Sequence, residues 1–123
     1  VQMIYGIGID LTDIPRITQA YQRNQRFAEK VLTEKELAVF HQTTNQKFQM
    51  EYLAGRFSAK ESYSKAYGTG LGKIGLHDIE ILDDSLGKPV ITKQPYTGAA
   101  HVSISHTDAL VTTEVIIEAA EKE

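Results

Sequence analysis

The stretch from Gln46 to Tyr67 constrains this chain more than any other. Its pattern is helical for about six turns. Phe48, Leu53, Phe57 and Tyr63 are among its larger residues, and Ala54, Gly55, Ser58, Ala59, Ser62 and Ala66 keep much of it slim. A helix this slim is one that other elements press against closely. Gly68 ends it, and Gly68-Thr69-Gly70-Leu71-Gly72 follows as a loop. A chain of 123 residues suits one domain with one core, so a helix this long belongs at its centre.

The flanking patterns fix the class. "MIYGIGIDL" (3–11) alternates like a strand, with Tyr5, Ile7 and Ile9 on one face and Gly6, Gly8 and Asp10 on the other. The glycine face is bare backbone, open to a packed helix or to a ligand. Thr12 or Asp13 can cap the next helix, which has Pro15 in its first turn and stops near Asn24-Gln25. A short turn covers Arg26 to Lys30. Thr33 and Glu36 form a capping box for a short helix to about His41. Two strand patterns (78–84 and 88–93) flank Ser85-Leu86-Gly87, a hairpin loop with glycine where positive φ is needed. Two more (100–107 and 109–118) form a second hairpin around Asp108, and the final "AAEKE" is expected to fray. Helices first and strands last, without βαβ alternation, imply an α+β fold: a largely antiparallel sheet packed against a long central helix. The domain is expected to be single and to span residues 1–123, with Val1 and Gln2 as additions ahead of Met3.

Composition excludes several functions. Cysteine is absent, so disulfides and thiolate metal sites are excluded, and a cytoplasmic location is expected. No apolar run approaches the roughly 18 residues of a membrane span, and no signal-peptide pattern is present. The net charge of −3 disfavours a nucleic-acid partner. It also hides an asymmetry. Between Ile14 and Leu32, Arg16, Arg23, Arg26 and Lys30 stand against the single anion Glu29. A basic patch on an acidic protein fits an acidic docking partner, although a solvated helix face accounts for the same charges.

Glu61 and Lys65 lie four apart, about 40° round the helix axis, on the stripe that also carries Phe57. An exposed Glu–Lys pair would contribute only about 0.3–0.5 kcal/mol. Asp10 and Glu61 are a pair of carboxylates in apolar, glycine-bordered surroundings, a donor set that suits Mg²⁺ with water and phosphate oxygens as further ligands. His106 ends "HVSISH" on the face of Val102 and Ile104, at a strand end where ligand groups often sit. There is no nucleophile elbow and no Walker loop, and "GTGLG" follows a helix rather than a strand, against a dinucleotide fingerprint.

Three stretches, "GIGID" (6–10), "GRFSAKESYSKAYGTG" (55–70) and "VSISH" (102–106), together resemble the signatures of the 4′-phosphopantetheinyl transferases, closest to their small bacterial type, the holo-acyl-carrier-protein synthases. The resemblance covers nearly the whole chain, and every position of Phe-x-x-Lys-Glu-x-x-x-Lys is kept. It implies transfer of the phosphopantetheine arm of coenzyme A to a serine of an apo acyl carrier protein, releasing adenosine 3′,5′-bisphosphate, for fatty acid biosynthesis. It implies Mg²⁺ on Asp10 and Glu61, and Lys65 at the pyrophosphate and as the acid assisting the leaving phosphate. A carboxylate or a metal-bound water is expected to take the serine's proton, with Glu61 and the water it holds first among the candidates. Lys60, Gly68, His106 and Thr107 are expected around coenzyme A, with His106 toward its adenosine end. It also implies a homotrimer with sites between subunits. The acidic carrier protein would dock on Arg16, Arg23, Arg26 and Lys30, with Phe27 as an apolar anchor. Two rivals remain in view. A Mg²⁺-dependent nuclease usually has its acid–lysine pair on a strand with one residue between, whereas three intervene here. A trimeric binding module without catalysis would not need Asp10, Glu61 and Lys65 intact.

Overall fold

A computed structural model describes residues 3–121. The expectation for Val1 and Gln2 lies outside the described residues. The order is β1 (Ile4–Asp13), α1 (Ile14–Arg23), α2 (Arg26–Val31), α3 (Glu34–His41), α4 (Gln46–Tyr67), a single 3₁₀ turn (Leu76–Asp78), β2 (Glu80–Asp83), β3 (Pro89–Lys93), β4 (Ala100–His106) and β5 (Leu110–Glu118). The strands form a three-stranded antiparallel sheet in the order β1-β5-β4 and a separate two-stranded antiparallel ribbon, β2-β3. The α+β expectation holds.

Local chemistry sets most boundaries. Thr33 Oγ1 accepts from the Glu36 N–H while the Glu36 carboxylate accepts from the Thr33 N–H, so the capping box is closed. Asn45 caps α4 through its side chain, and Gly68, at φ +104°, ends it. Asp13 takes the N-cap position of α1 but makes no side-chain capping bond. Thr12 does not cap either; its hydroxyl turns back to Asp10.

α4 lies between two apolar clusters. One holds Ile14, Ile17, Val31, Leu32, Phe40, Leu53 and Val111; the other holds Ala59, Tyr63, Ile79, Ile81, Val115 and Ile117. Burial on several sides explains why the helix shows no clean apolar stripe. The bare face of β1 is taken by this helix. A Cβ on Gly6 would collide with the Ala66 carbonyl, and one on Gly8 with the Ser62 carbonyl. Glycine there lets strand and helix backbones approach directly, which brings Asp10 alongside α4. The opposite face of β1 is open: Ile7, Ile9 and Leu11 are 55%, 62% and 66% exposed.

The C-terminal tail corrects one expectation. Ala119 N–H donates to the Met3 carbonyl at 2.7 Å and Ala120 N–H to the Tyr96 hydroxyl at 3.1 Å. These bonds tie the start of "AAEKE" to the residue just before β1 and to the loop before β4, so it does not fray there. Lys122 and Glu123 lie outside the described residues.

Burial also sets an alkaline limit. Tyr52 and Tyr63 are buried, and desolvation pushes both phenols up to about 12. The Tyr52 hydroxyl is buried without a hydrogen-bond partner among the described residues, with the Arg56 guanidinium 4.4 Å above its ring. Unfolded phenols ionise near 10. Between about pH 10 and 12 the unfolded chain therefore releases protons that the folded chain retains, and stability falls as pH rises through that window. A tyrosinate absorbance titration should show two of the six tyrosines ionising last, with Tm falling over the same range. Ionisation of all six near pH 10 in folded protein would contradict the burial.

Candidate active site

Asp10 sits on β1 opposite Thr113 of β5. Its side chain is 13% exposed. Oδ2 accepts from Thr12 Oγ1 at 2.6 Å and from Ser58 Oγ at 2.8 Å. Oδ1 lies 3.4 Å from Lys65 Nζ, which also donates to the Ile9 carbonyl at 3.0 Å. Lys65 thus spans from the last turn of α4 back to β1.

Asp10 and Glu61 line one cleft of about 360 Å³, with Leu11, Thr12, Asp13, Arg16, Phe27 and Phe57 among its walls. Glu61 is half-buried, and no side-chain hydrogen bond or ion pair engages its carboxylate among the described residues. Burial, and then the neighbouring Asp10 charge, push its carboxyl above the ordinary value, with Lys65 opposing. The structure therefore joins two acidic groups that are remote in sequence and sets them against each other at a cleft wall. Such a pair is relieved by a cation between them.

No group of three or more potential metal-ligating side chains occurs among the described residues. A metal with a closed, all-protein ligand shell does not fit. Two carboxylates, one of them without a protein partner, fit a hard cation that keeps water and takes phosphate oxygens for its remaining positions.

The structure corrects the expectation for Lys60. Its side chain is fully buried, and Nζ donates to Glu36 Oε1 at 2.6 Å and to the Val31 carbonyl at 2.7 Å. Adjacent helix positions point about 100° apart, so as Glu61 turns to the cleft Lys60 turns to the core. It presents no surface to coenzyme A. Burial drives its ammonium below the ordinary value, and Glu36 opposes this.

The remaining expected residues are dispersed within one chain. Gly68 is exposed at the end of α4. His106 and Thr107 line a different hollow of about 220 Å³, with Leu110 and Thr112, and Leu11 is on the walls of both. His106 Nδ1 is 3.7 Å from Glu51 Oε2. Arg16 is on the carboxylate cleft, while Arg23, Arg26 and Lys30 are exposed on α1 and α2, with Arg26 on the wall of a separate hollow. Phe27 is not a free anchor: it is half-buried and tilts on Phe57, with ring centroids 6.2 Å apart. Three side chains escaped the sequence reading of the site, namely Thr12, Ser58 and Thr113. Thr113 has a signal, because it is the register partner of Asp10, but only once β1 and β5 are paired.

Comparison with known proteins identifies the family. A holo-[acyl-carrier-protein] synthase of Lacticaseibacillus casei is 60% identical over 116 residues, 94% of this chain and 93% of that protein. One of Streptococcus agalactiae is 58% identical, covering 94% of this chain and 98% of that protein. The crystal structure of a holo-(acyl-carrier-protein) synthase from Bacillus anthracis in complex with CoA (3′,5′-ADP) superposes with a TM-score of 0.88 at 39% identity, over 96% of this chain and 99% of that one. The profile of the 4′-phosphopantetheinyl transferase superfamily matches residues 6–119, and this chain belongs to that superfamily.

Proposed function

We propose that this protein transfers the 4′-phosphopantetheine group of coenzyme A to a serine of an apo acyl carrier protein, yielding the holo carrier and adenosine 3′,5′-bisphosphate, for fatty acid biosynthesis in the cytoplasm. The observation that carries the reading is the carboxylate pair at one cleft wall: Asp10 with one oxygen fixed by hydroxyls, and Glu61 without a hydrogen-bond or ion-pair partner for its carboxylate among the described residues.

The serine oxygen of the carrier bonds to the phosphorus that bears the pantetheine arm. The bond from that phosphorus to the oxygen of the adenosine-side phosphate breaks, and that oxygen leaves with the electron pair. This chain needs no nucleophile of its own, in keeping with the absence of an elbow or thiol. Asp10 and Glu61 would hold Mg²⁺, which when bound neutralises charge on the diphosphate. Lys65, already beside Asp10, is placed to stabilise the leaving phosphate. The serine proton passes to Glu61, directly or through a water hydrogen-bonded to it.

His106, Thr107 and Gly68 do not line the carboxylate cleft within one chain, so we place them with coenzyme A across a subunit boundary of a homotrimer. The exposed row Ile7, Ile9 and Leu11 supports a covered face on β1. An acidic carrier would approach over Arg16, Arg23, Arg26 and Lys30, where complementary charge chiefly raises the association rate. Arg16→Glu or Arg26→Glu should raise the KM for the carrier by roughly tenfold and that for coenzyme A far less. Equal effects on both would contradict this surface.

The reading as a whole is tested by mass spectrometry of an apo acyl carrier protein incubated with this protein, coenzyme A and Mg²⁺. A phosphopantetheine-sized gain that disappears with EDTA is expected. Binding of the carrier without any gain would leave a binding module in place of an enzyme.

A further inference from the structure

Three hydroxyls lie between α4 and β5, and of these only Ser58 has so far been tied to Asp10. Ser58 and Ser62 are fully buried, and Thr113 is 2% exposed. Ser58 Oγ lies 2.8 Å from Asp10 Oδ2 and 2.9 Å from Thr113 Oγ1. Thr113 Oγ1 lies 2.6 Å from Ser62 Oγ, which is also 3.2 Å from the Thr113 carbonyl.

Each hydroxyl has one proton to give. An ionised Asp10 only accepts, so the Ser58 proton must point to Oδ2. Ser58 then receives the proton of Thr113. Thr113 has none left for Ser62, so the 2.6 Å contact is made by the Ser62 proton, which the Thr113 carbonyl at 3.2 Å shares as a second, longer acceptor. The direction is therefore fixed along the whole chain: Ser62 to Thr113 to Ser58 to Asp10. Bonds aligned this way polarise one another toward the carboxylate. Thr12 adds a second donor to the same oxygen at 2.6 Å. Oδ2 is fully engaged, while Oδ1 has no hydroxyl partner and faces Lys65.

We infer that Ser62, Thr113 and Ser58 are positioning residues for Asp10: their one-way hydroxyl chain pins Oδ2 and presents Oδ1 as the single oxygen offered to a divalent cation. The inference rests on the carboxylate pair being a cation site. It goes beyond that reading, because it assigns the geometry of the ligand to two serines of the facing helix and to a threonine of the neighbouring strand. Partners that orient a ligating carboxylate typically govern metal affinity by 10–100-fold.

The test is Mn²⁺ affinity by electron paramagnetic resonance, with coenzyme A present and no carrier, so that no turnover occurs. Thr113→Val keeps the shape of the side chain and removes the hydroxyl; Thr113→Ser keeps the hydroxyl and removes the methyl; Ser58→Ala removes the direct donor. Thr113→Val and Ser58→Ala should each weaken Mn²⁺ binding by about tenfold or more, and Thr113→Ser should restore most of it. In turnover, the KM for Mg²⁺ should rise by more than kcat falls. Wild-type Mn²⁺ affinity in both Thr113→Val and Ser58→Ala would overturn the inference, as would equal losses in Thr113→Val and Thr113→Ser, which would mark a packing role. Asp10→Asn separates the two levels: if it too binds Mn²⁺ normally, the cation site itself is wrong, whereas loss in Asp10→Asn with none in Thr113→Val or Ser58→Ala removes the hydroxyl chain alone. Thermal melts accompany each variant, and Ser58→Ala keeps the question open to measurement should Thr113→Val fail to fold.

Discussion

Glu61→Gln and Asp10→Asn are each expected to lower kcat/KM for phosphopantetheine transfer by about 10³-fold or more, with the fold intact. Both replacements keep the side-chain shape and remove one negative charge from a site with two. The amide of Asp10→Asn can place its oxygen where Oδ2 accepts from Thr12 and Ser58, so those bonds survive. Its NH₂ then meets Lys65 where Oδ1 had been, and the charge contact is lost. Glu61→Gln has a second expected consequence. The Glu61 carboxyl is raised by burial and by Asp10, so its ionised form costs stability above its folded pKa. Removing that charge should leave Tm unchanged or slightly higher at neutral pH, the pattern of a site strained for function. Full activity in either variant, or a Tm loss large enough to explain the activity loss, would remove these residues from the chemistry.

Lys60→Met should be the most damaging single change to stability. It leaves the Glu36 carboxylate, fully buried, without its cation. Breaking a buried pair from one side costs about 3–5 kcal/mol, equivalent to a Tm loss on the order of 10–20 °C at this size. Glu36 does more than pair with Lys60. It accepts from the Thr33 N–H at 2.9 Å and from the Ile81 N–H at 2.8 Å, linking α3 to β2. Lys60→Met/Glu36→Gln should therefore recover only part of the loss, because a glutamine amide sets an NH₂ against one of those donors. Calorimetry gives the stability readout, and steady-state kinetics below the lowered Tm gives a second. The KM for coenzyme A should stay near wild type in Lys60→Met. A large rise there without loss of stability would return Lys60 to the substrate.

What could be read from the sequence follows the range of the interactions. The Thr33–Glu36 box, the Gly68 stop and the Gly87 hairpin rest on contacts within a few residues, and each is where the pattern put it. The Phe57–Glu61 stripe is also local, since helix geometry alone aligns it, and both residues line the same cleft. The bare face of β1 was visible as glycine alternation, but its occupant was not, because the fit of Gly8 to the Ser62 carbonyl depends on how β1 crosses α4. Lys60 misled for a related reason. It sits inside the family motif next to Glu61, yet its partner Glu36 lies on another helix and shows no spacing that points to it. Ser58 looked merely small, and its meaning depends on Thr113, which arrives only through the pairing of β1 with β5. The helix ends and the carboxylate stripe were thus legible, whereas the contacts that hold Asp10 required the tertiary fold.

Anomalous diffraction from crystals grown with Mn²⁺ and coenzyme A tests the account most directly. The expected result is a single manganese peak ligated by Asp10 Oδ1 and a Glu61 carboxylate oxygen, with diphosphate oxygens of coenzyme A completing the contact. Manganese bound elsewhere, with the Asp10 and Glu61 side chains turned apart around a seated coenzyme A, would contradict it.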